Sequence, residues 1–153
     1  MRLWHKNLID ALPDKQLKGQ WRECCAIAAN IEKNGSPNHM LVNKIMDYGI
    51  EEFIVYGKMV CEEMELRGYK ADITNFLKHF LSRMSAIDPF KLEELHRNPL
   101  KIFKNWHNED YMDECYYNLR EKYHCGGISD DEWARIKWRY CEYKAEHRCK
   151  GNQ

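Results

Sequence analysis

The sequence predicts an all-α fold, because apolar residues recur at three- and four-residue spacing, helix-capping residues divide the chain, and no segment of useful length alternates like a strand. The chain has 153 residues, of which 44% are hydrophobic and 31% charged. A chain of this length buries enough apolar surface to fold without a metal or a disulfide. We therefore expect one compact multi-helix domain over residues 1–153.

The first predicted helix runs from about Asp14, which we expect to be its N-cap, to Lys33. Its buried stripe is Leu17, Trp21, Cys24, Ala28 and Ile31. A second helix is predicted from Ser36 to Gly49, because Ser36 precedes a proline at the first helical position.

The third predicted helix begins at Ile50 and ends in the turn around Gly68, since glycine commonly follows the last helical residue. A fourth starts at Asp72 and must end before Pro89, because the residue before a proline avoids helical geometry. Residues 85–105 are expected to be the least regular part of the chain.

The C-terminal part contains two further predicted helices. One spans Tyr111 to Lys122. The other opens with a capping box, in which Ser129 is the N-cap and Glu132 occupies the third helical position.

The charge is unevenly distributed although its formal total is zero. Lys and Arg outnumber Asp and Glu in residues 1–22 and 133–150, whereas acidic residues dominate residues 47–66. A net charge of zero argues against a protein that binds nucleic acid. Two basic terminal segments in one small domain are nevertheless compatible with a cationic face.

Cysteine usage indicates a reducing compartment. The seven cysteines are an odd number, two of them adjacent at Cys24 and Cys25, and the N-terminal segment lacks the apolar run of a signal peptide. We expect free thiols, a cytoplasmic location and no membrane span. We expect no metal, because the Cys and His spacing lacks the paired pattern of structural zinc sites.

The first helix carries the most suggestive polar pattern. Lys15, Lys18 and Arg22 fall on one ridge, and beside it lies a polar stripe opened by a glycine: Gln16, Gly19, Gln20 and Glu23. A carboxylate beside a cationic ridge can stabilise positive charge that develops on a sugar. The alternative interpretation of Arg22 and Glu23 is an ion pair on a solvated helix.

The N-terminal run MRLWHKNLIDALPDKQLKGQWRECCAI, with its MRLW opening and WRE motif, resembles the endonuclease V type pyrimidine-dimer DNA glycosylases. Residues 63–69 are similar to the central helix and exit turn of that family. The aromatic and basic C-terminal segment is similar as well: Trp138, Arg139, Tyr140, Tyr143 and Lys144.

The resemblance implies a DNA repair N-glycosylase with abasic-site lyase activity, which needs no cofactor. The α-amine of Met1 would attack C1′ of the damaged nucleotide and form an imine, with Glu23 as the catalytic carboxylate and with Arg2 and Arg22 at the phosphates. An α-amine suits this role, since its ordinary pKa of roughly 7.7–8.0 leaves a substantial neutral fraction at pH 7.

The chain departs from the family pattern at two points. A large second residue, Arg2, predicts that Met1 is retained, which leaves one extra residue between the amine and Glu23. The additional arginine that the family has one turn beyond the glutamate is replaced here by Ala26 or Ile27.

Further DNA contacts are expected from planar and polar side chains. Trp4 and His5 follow the N-terminus, and either line the site or lie in the core. The same choice between DNA contact and structural role applies to two more groups: His39 with Asn43, and Trp138 with Arg139 and Lys144.

The leading hypothesis is therefore a monomeric enzyme that acts on damaged double-stranded DNA, with a pyrimidine dimer as substrate by resemblance. The first alternative is a non-catalytic helical module that binds nucleic acid or another partner. The second is a purely structural helical protein, which leaves the basic ridge beside Glu23 unexplained.

Overall fold

Every regular element in residues 1–151, the part of the chain that the computed structural model describes, is a helix. The α-helices are α1 (Asp14–Asn34), α2 (Ile45–Tyr48), α3 (Ile50–Leu66), α4 (Ile73–Leu77), α5 (Pro89–Arg97), α6 (Glu109–His124) and α7 (Asp130–Gly151). Short 3-10 helices occupy Lys6–Ala11, Lys78–Ala86 and Pro99–Lys101. The predicted all-α class is confirmed. None of the helices in this described part is long and apolar enough to span a membrane.

Helix α1 has nearly its predicted bounds, but the predicted cap is wrong. Pro13 is the N-cap, and Asp14 is already helical. The Asp14 carboxylate instead accepts a hydrogen bond from Arg67 Nη1 at 2.9 Å and another from the Tyr69 hydroxyl. The side chain therefore ties α1 to the turn that follows α3, which a local sequence pattern does not reveal.

The predicted second helix from Ser36 to Gly49 is mostly wrong, because regular α-helix occupies only α2. Asn38 has a left-handed backbone with φ of 57°, which interrupts helical geometry. Residues 39–44 form successive turns. Gly49, with φ of 106°, then separates α2 from α3.

Helix α3 begins where the sequence predicts and crosses the centre of the core. Phe53 and Tyr56 are among its fully buried side chains. Gly57 is required by packing, because a Cβ atom built there would come within 2.3 Å of the Phe76 ring of α4. The glycine therefore permits the close approach of α3 and α4.

The region expected to be least regular contains a helix that the sequence pattern does not predict. Helix α5 is capped by Asp88, whose carboxylate accepts hydrogen bonds from the backbone N–H groups of Phe90 and Lys91. Leu95 is the one buried residue of α5. The helix therefore shows little of the periodicity by which a longer one is recognised.

The two C-terminal helices follow the prediction. Helix α6 extends the predicted element by two residues at each end. Ser129 and Glu132 form the expected reciprocal capping box before α7, with Ser129 N–H donating to Glu132 Oε2 at 2.9 Å. Helix α7 packs on the 3-10 helix Lys6–Ala11, so both ends of the chain meet in one core.

Candidate active site

The N-terminal segment is held beside α1 by one buried amide, that of Gln20. Gln20 Oε1 accepts a hydrogen bond from Trp4 N–H at 2.7 Å, and Gln20 Nε2 donates to the Arg2 carbonyl at 2.9 Å. The Tyr56 hydroxyl lies 2.7 Å from the Trp4 carbonyl and 2.9 Å from Gln20 Oε1. Gln20 and Tyr56 therefore clamp the backbone of the first residues in a fixed position.

This clamp places Glu23 next to the start of the chain. Glu23 Oε2 accepts a hydrogen bond from Arg2 N–H at 3.2 Å and lies 3.3 Å from Gln20 Nε2. Consecutive backbone nitrogens are roughly 3–3.5 Å apart, so the α-amine of Met1 lies within roughly 7 Å of the same oxygen. A half-buried carboxylate and the first nitrogens of the chain are thus neighbours.

The cationic ridge of α1 is open to solvent. Lys15, Lys18 and Arg22 are all exposed. Lys18 Nζ lies 3.8 Å from the centroid of the Tyr69 ring. Arg22 has no ion-pair partner among residues 1–151. The ridge therefore keeps its charge available for an anionic ligand.

A cleft of about 410 Å³ opens beside Arg2. Its walls come from the turn after α1, the segment before α6 and α6 itself: Arg2, Met40, Leu41, Lys44, Asn105, Trp106, Asn108, Asp110, Tyr111 and Glu114. The Tyr111 hydroxyl donates to the Leu3 carbonyl at 2.6 Å, and burial holds the Tyr111 pKa far above its usual value. Tyr111 thus fixes the cleft wall to the N-terminal segment.

The family model described as pyrimidine dimer DNA glycosylase matches residues 1–76. Residues 1–76 belong to the pyrimidine dimer DNA glycosylase family. The matched range includes the Gln20 clamp, Arg22 and Glu23, and it ends within α4. At the level of the family, this match supports a DNA repair glycosylase, an enzyme that acts on DNA. No curated protein and no solved structure matches the chain.

Trp4 and His5 lie in the core of the protein, so the prediction that they contact DNA is corrected. Trp4 is 7% exposed and His5 is fully buried. The His5 ring stacks on His107 with centroids 5.1 Å apart, and its Nε2 lies 2.9 Å from the His107 carbonyl. Burial lowers the His5 pKa to about 4, so the ring is neutral at pH 7.

His39 and Asn43, predicted to bind DNA, are engaged within their own turn. His39 N–H donates to Asn43 Oδ1 at 3.1 Å, and Leu41 N–H donates to His39 Nδ1 at 3.3 Å. Gln16 of the polar stripe, also expected to contact DNA, is half-buried, and its Oε1 atom is enclosed without a donor among the described residues; its contact with DNA stays a prediction. These side chains shape the surface around the site.

The basic residues predicted at the C-terminal end are already paired with carboxylates. Arg139 contacts Asp10 and Glu142, each at 2.5 Å, and Lys144 Nζ lies 3.0 Å from Asp113 Oδ1. Arg139 and Lys144 therefore already bind carboxylates, and DNA would have to replace these ion pairs; their contact with DNA stays a prediction. Trp138 is 63% exposed and stays a predicted DNA contact.

The sequence does not predict the residues that hold the N-terminal segment in place. Tyr56 and Tyr111 belong to no local motif, and Gln20 falls on the predicted polar stripe although it is 1% exposed. One signal is present, because a glutamine between the buried positions Leu17 and Cys24 breaks the apolar stripe. A buried amide of this kind needs several partners, and here the backbone of the N-terminal segment supplies them.

Proposed function

We propose that the chain is a DNA N-glycosylase with abasic-site lyase activity, in which the α-amine of Met1 is the nucleophile and Glu23 the catalytic carboxylate. Its substrate is a pyrimidine dimer in double-stranded DNA, and it acts as a monomer without a cofactor. The observation that carries the proposal is the hydrogen bond from Arg2 N–H to Glu23 Oε2 at 3.2 Å, which holds a carboxylate at the start of the chain.

The chemistry begins with attack of the neutral amine on C1′ of the damaged nucleotide. A C1′–N bond to the enzyme forms while the glycosidic bond of one pyrimidine breaks; the pyrimidine nitrogen takes the electron pair and the proton that the amine loses, and the base stays joined to the other pyrimidine of the dimer. The sugar ring then opens to an imine between the amine and C1′. Positive charge develops on the sugar throughout, and the Glu23 carboxylate stabilises it.

The lyase step needs a base near C2′. Removal of a C2′ proton breaks the C3′–O3′ bond by β-elimination, the 3′ phosphate departs, and water releases the unsaturated aldehyde from the amine. Glu23 accepts a hydrogen bond from a backbone N–H and keeps a second oxygen free for this proton. One carboxylate thus serves both steps.

The exposed cations of α1 suit the phosphates that flank the lesion. Lys15, Lys18 and Arg22 lie on the helix that carries Glu23, and Arg2 lies beside its carboxylate. Between them, a Cβ atom on Gly19 would meet nothing within 4 Å, so the helix surface is open to a DNA strand at this point. Phosphate contacts of this kind position the substrate without reading its sequence.

Borohydride trapping tests the covalent step directly. Purified protein is incubated with abasic-site duplex and sodium borohydride, and a protein–DNA adduct stable to denaturation is expected, because borohydride reduces an imine to an amine. Peptide mapping of the adduct by mass spectrometry should locate the DNA on the first residue. It also reports whether that residue is Met1 or Arg2.

The matched control is Glu23→Gln, which keeps an acceptor for the Arg2 N–H but removes the charge. This variant should bind the duplex as the native protein does and cleave no glycosidic bond in dimer-containing DNA. An absence of any adduct with native protein, together with salt-dependent duplex binding, would instead favour the non-catalytic nucleic-acid module.

A further inference from the structure

We propose that the turn carrying Met40 and Leu41 is an apolar wedge, which enters the base stack beside the nucleotide held at the N-terminus. The inference rests on the proposed function, since it assigns a second contact of the same site with duplex DNA. The turn lies between α1 and α2, in the region where the sequence predicts a continuous helix.

The two side chains are unusually exposed for their type. Met40 is 83% exposed and Leu41 51%, whereas the next residue, Val42, is fully buried. A buried anchor therefore follows directly after two apolar side chains that point into solvent. Exposed apolar groups that adjoin a functional cleft indicate a contact that forms on binding.

The turn is held in shape from within. The His39 carbonyl accepts hydrogen bonds from Val42 N–H at 3.0 Å and from Asn43 N–H at 2.9 Å. The His39 and Asn43 side chains add two bonds to the backbone of the same turn. An apolar tip on a braced turn is suited to insertion, because a contact that is already ordered loses little conformational entropy on binding.

The tip borders the cleft beside the proposed nucleophile. Met40, Leu41 and Lys44 share this cleft with Arg2, whose backbone N–H binds Glu23. A DNA strand that extends from the Met1 amine along this cleft therefore contacts the turn that carries Met40 and Leu41.

The charges that line the cleft indicate where the phosphates of a bound strand lie. Arg2 and Lys44 line the same cleft and suit a phosphate, whereas Asp110 and Glu114 of the opposite wall repel one. A strand whose phosphates lie towards Arg2 and Lys44 thus presents its bases to the apolar tip. Side chains such as Leu and Met are known to part base steps and to kink the duplex in this way.

Fluorescence of 2-aminopurine next to an abasic site in a duplex tests the wedge, because the signal rises when that base is unstacked. Native protein should raise the signal, and the double variant Met40→Ser/Leu41→Ser should remove most of the rise. On the duplex, borohydride trapping by the double variant should slow by about tenfold, which corresponds to about 1.4 kcal/mol of lost help in parting the base step. Trapping on the same strand without its complement should stay within about twofold, because no closed step has to be opened.

Two controls make the result specific. Leu81→Ser/Met84→Ser removes two similarly exposed side chains, at 66% and 61%, that do not line the cleft, and should behave like native protein. The swap Met40→Leu/Leu41→Met should keep the fluorescence rise, because an apolar tip remains.

The possible outcomes separate the wedge from the proposed function. Loss of trapping on both duplex and single strand in the serine double variant would overturn the wedge, because the variant would then impair the chemistry itself. An unchanged fluorescence rise in the serine double variant would overturn the wedge as well. If the same substitutions then abolish self-association, the turn binds a second copy of the chain instead. If native protein forms no imine but still unstacks the base through Met40 and Leu41, the wedge stands and the proposed catalysis fails.

Discussion

Replacement of Gly19 by alanine should make the protein more stable and less active. Gly19 lies inside α1, and a Cβ atom there would meet nothing within 4 Å, so the methyl group fits without strain. Glycine in a helix interior costs about 0.8–1.0 kcal/mol relative to alanine. In a protein of this size the gain should raise the midpoint of thermal unfolding by roughly 2–4 °C.

The expected loss of activity follows from the position of Gly19 next to Glu23 on α1. Gly19 lies one turn before Glu23, so a strand whose sugar reaches that carboxylate passes over the glycine. A methyl group there pushes the strand outward, and a displacement near 1 Å can cost roughly 100-fold in rate. We expect the single-turnover rate of dimer excision to fall by about 10- to 100-fold, while stability rises.

Scanning calorimetry and single-turnover excision should be measured on the same preparation. Ala26→Gly is the matched control: Ala26 is an exposed residue of the same helix, and its loss should lower stability by about 0.8–1.0 kcal/mol. That change removes a methyl group, so it cannot obstruct a strand. Native-like excision by the stabilised Gly19→Ala variant would refute the close approach of DNA to α1.

Three further predictions concern the contacts of the site and the buried histidine behind it. Glu23→Gln should abolish dimer excision with less than about a threefold change in duplex affinity, because the carboxylate acts on charge formed in the transition state; an active variant would reject its role. Lys18→Ala should reduce the slope of log affinity against log salt by about 0.9, as expected for one lost phosphate contact; an unchanged slope would remove Lys18 from the interface. Burial lowers the His5 pKa from 6.5 to about 4. Between these pH values the unfolded chain binds a proton at His5, whereas the folded chain does not. The free energy of unfolding in urea should therefore fall by up to about 3 kcal/mol as pH drops from 6.5 to 4, and a flat profile would contradict this.

The sequence by itself determined the elements whose signals are local. The stripe of α1, the exit turn at Gly68 and the capping box from Ser129 to Glu132 each depend on residues of one helix and its ends. The WRE motif likewise lies on a single helix, so its resemblance to the pyrimidine dimer DNA glycosylases is visible in the order of the residues alone.

Only the tertiary structure decided which polar side chains are buried or paired within the protein. Gln20 is buried because the backbone of Arg2 and Trp4, sixteen to eighteen positions away, supplies its hydrogen-bond partners. Arg139 is neutralised by Asp10, which lies 129 positions away in the chain. A basic or amide side chain has the same pattern in sequence whether it meets phosphate, backbone or carboxylate. The partner that satisfies it is fixed by contacts between distant segments, and these exist only once the core has formed.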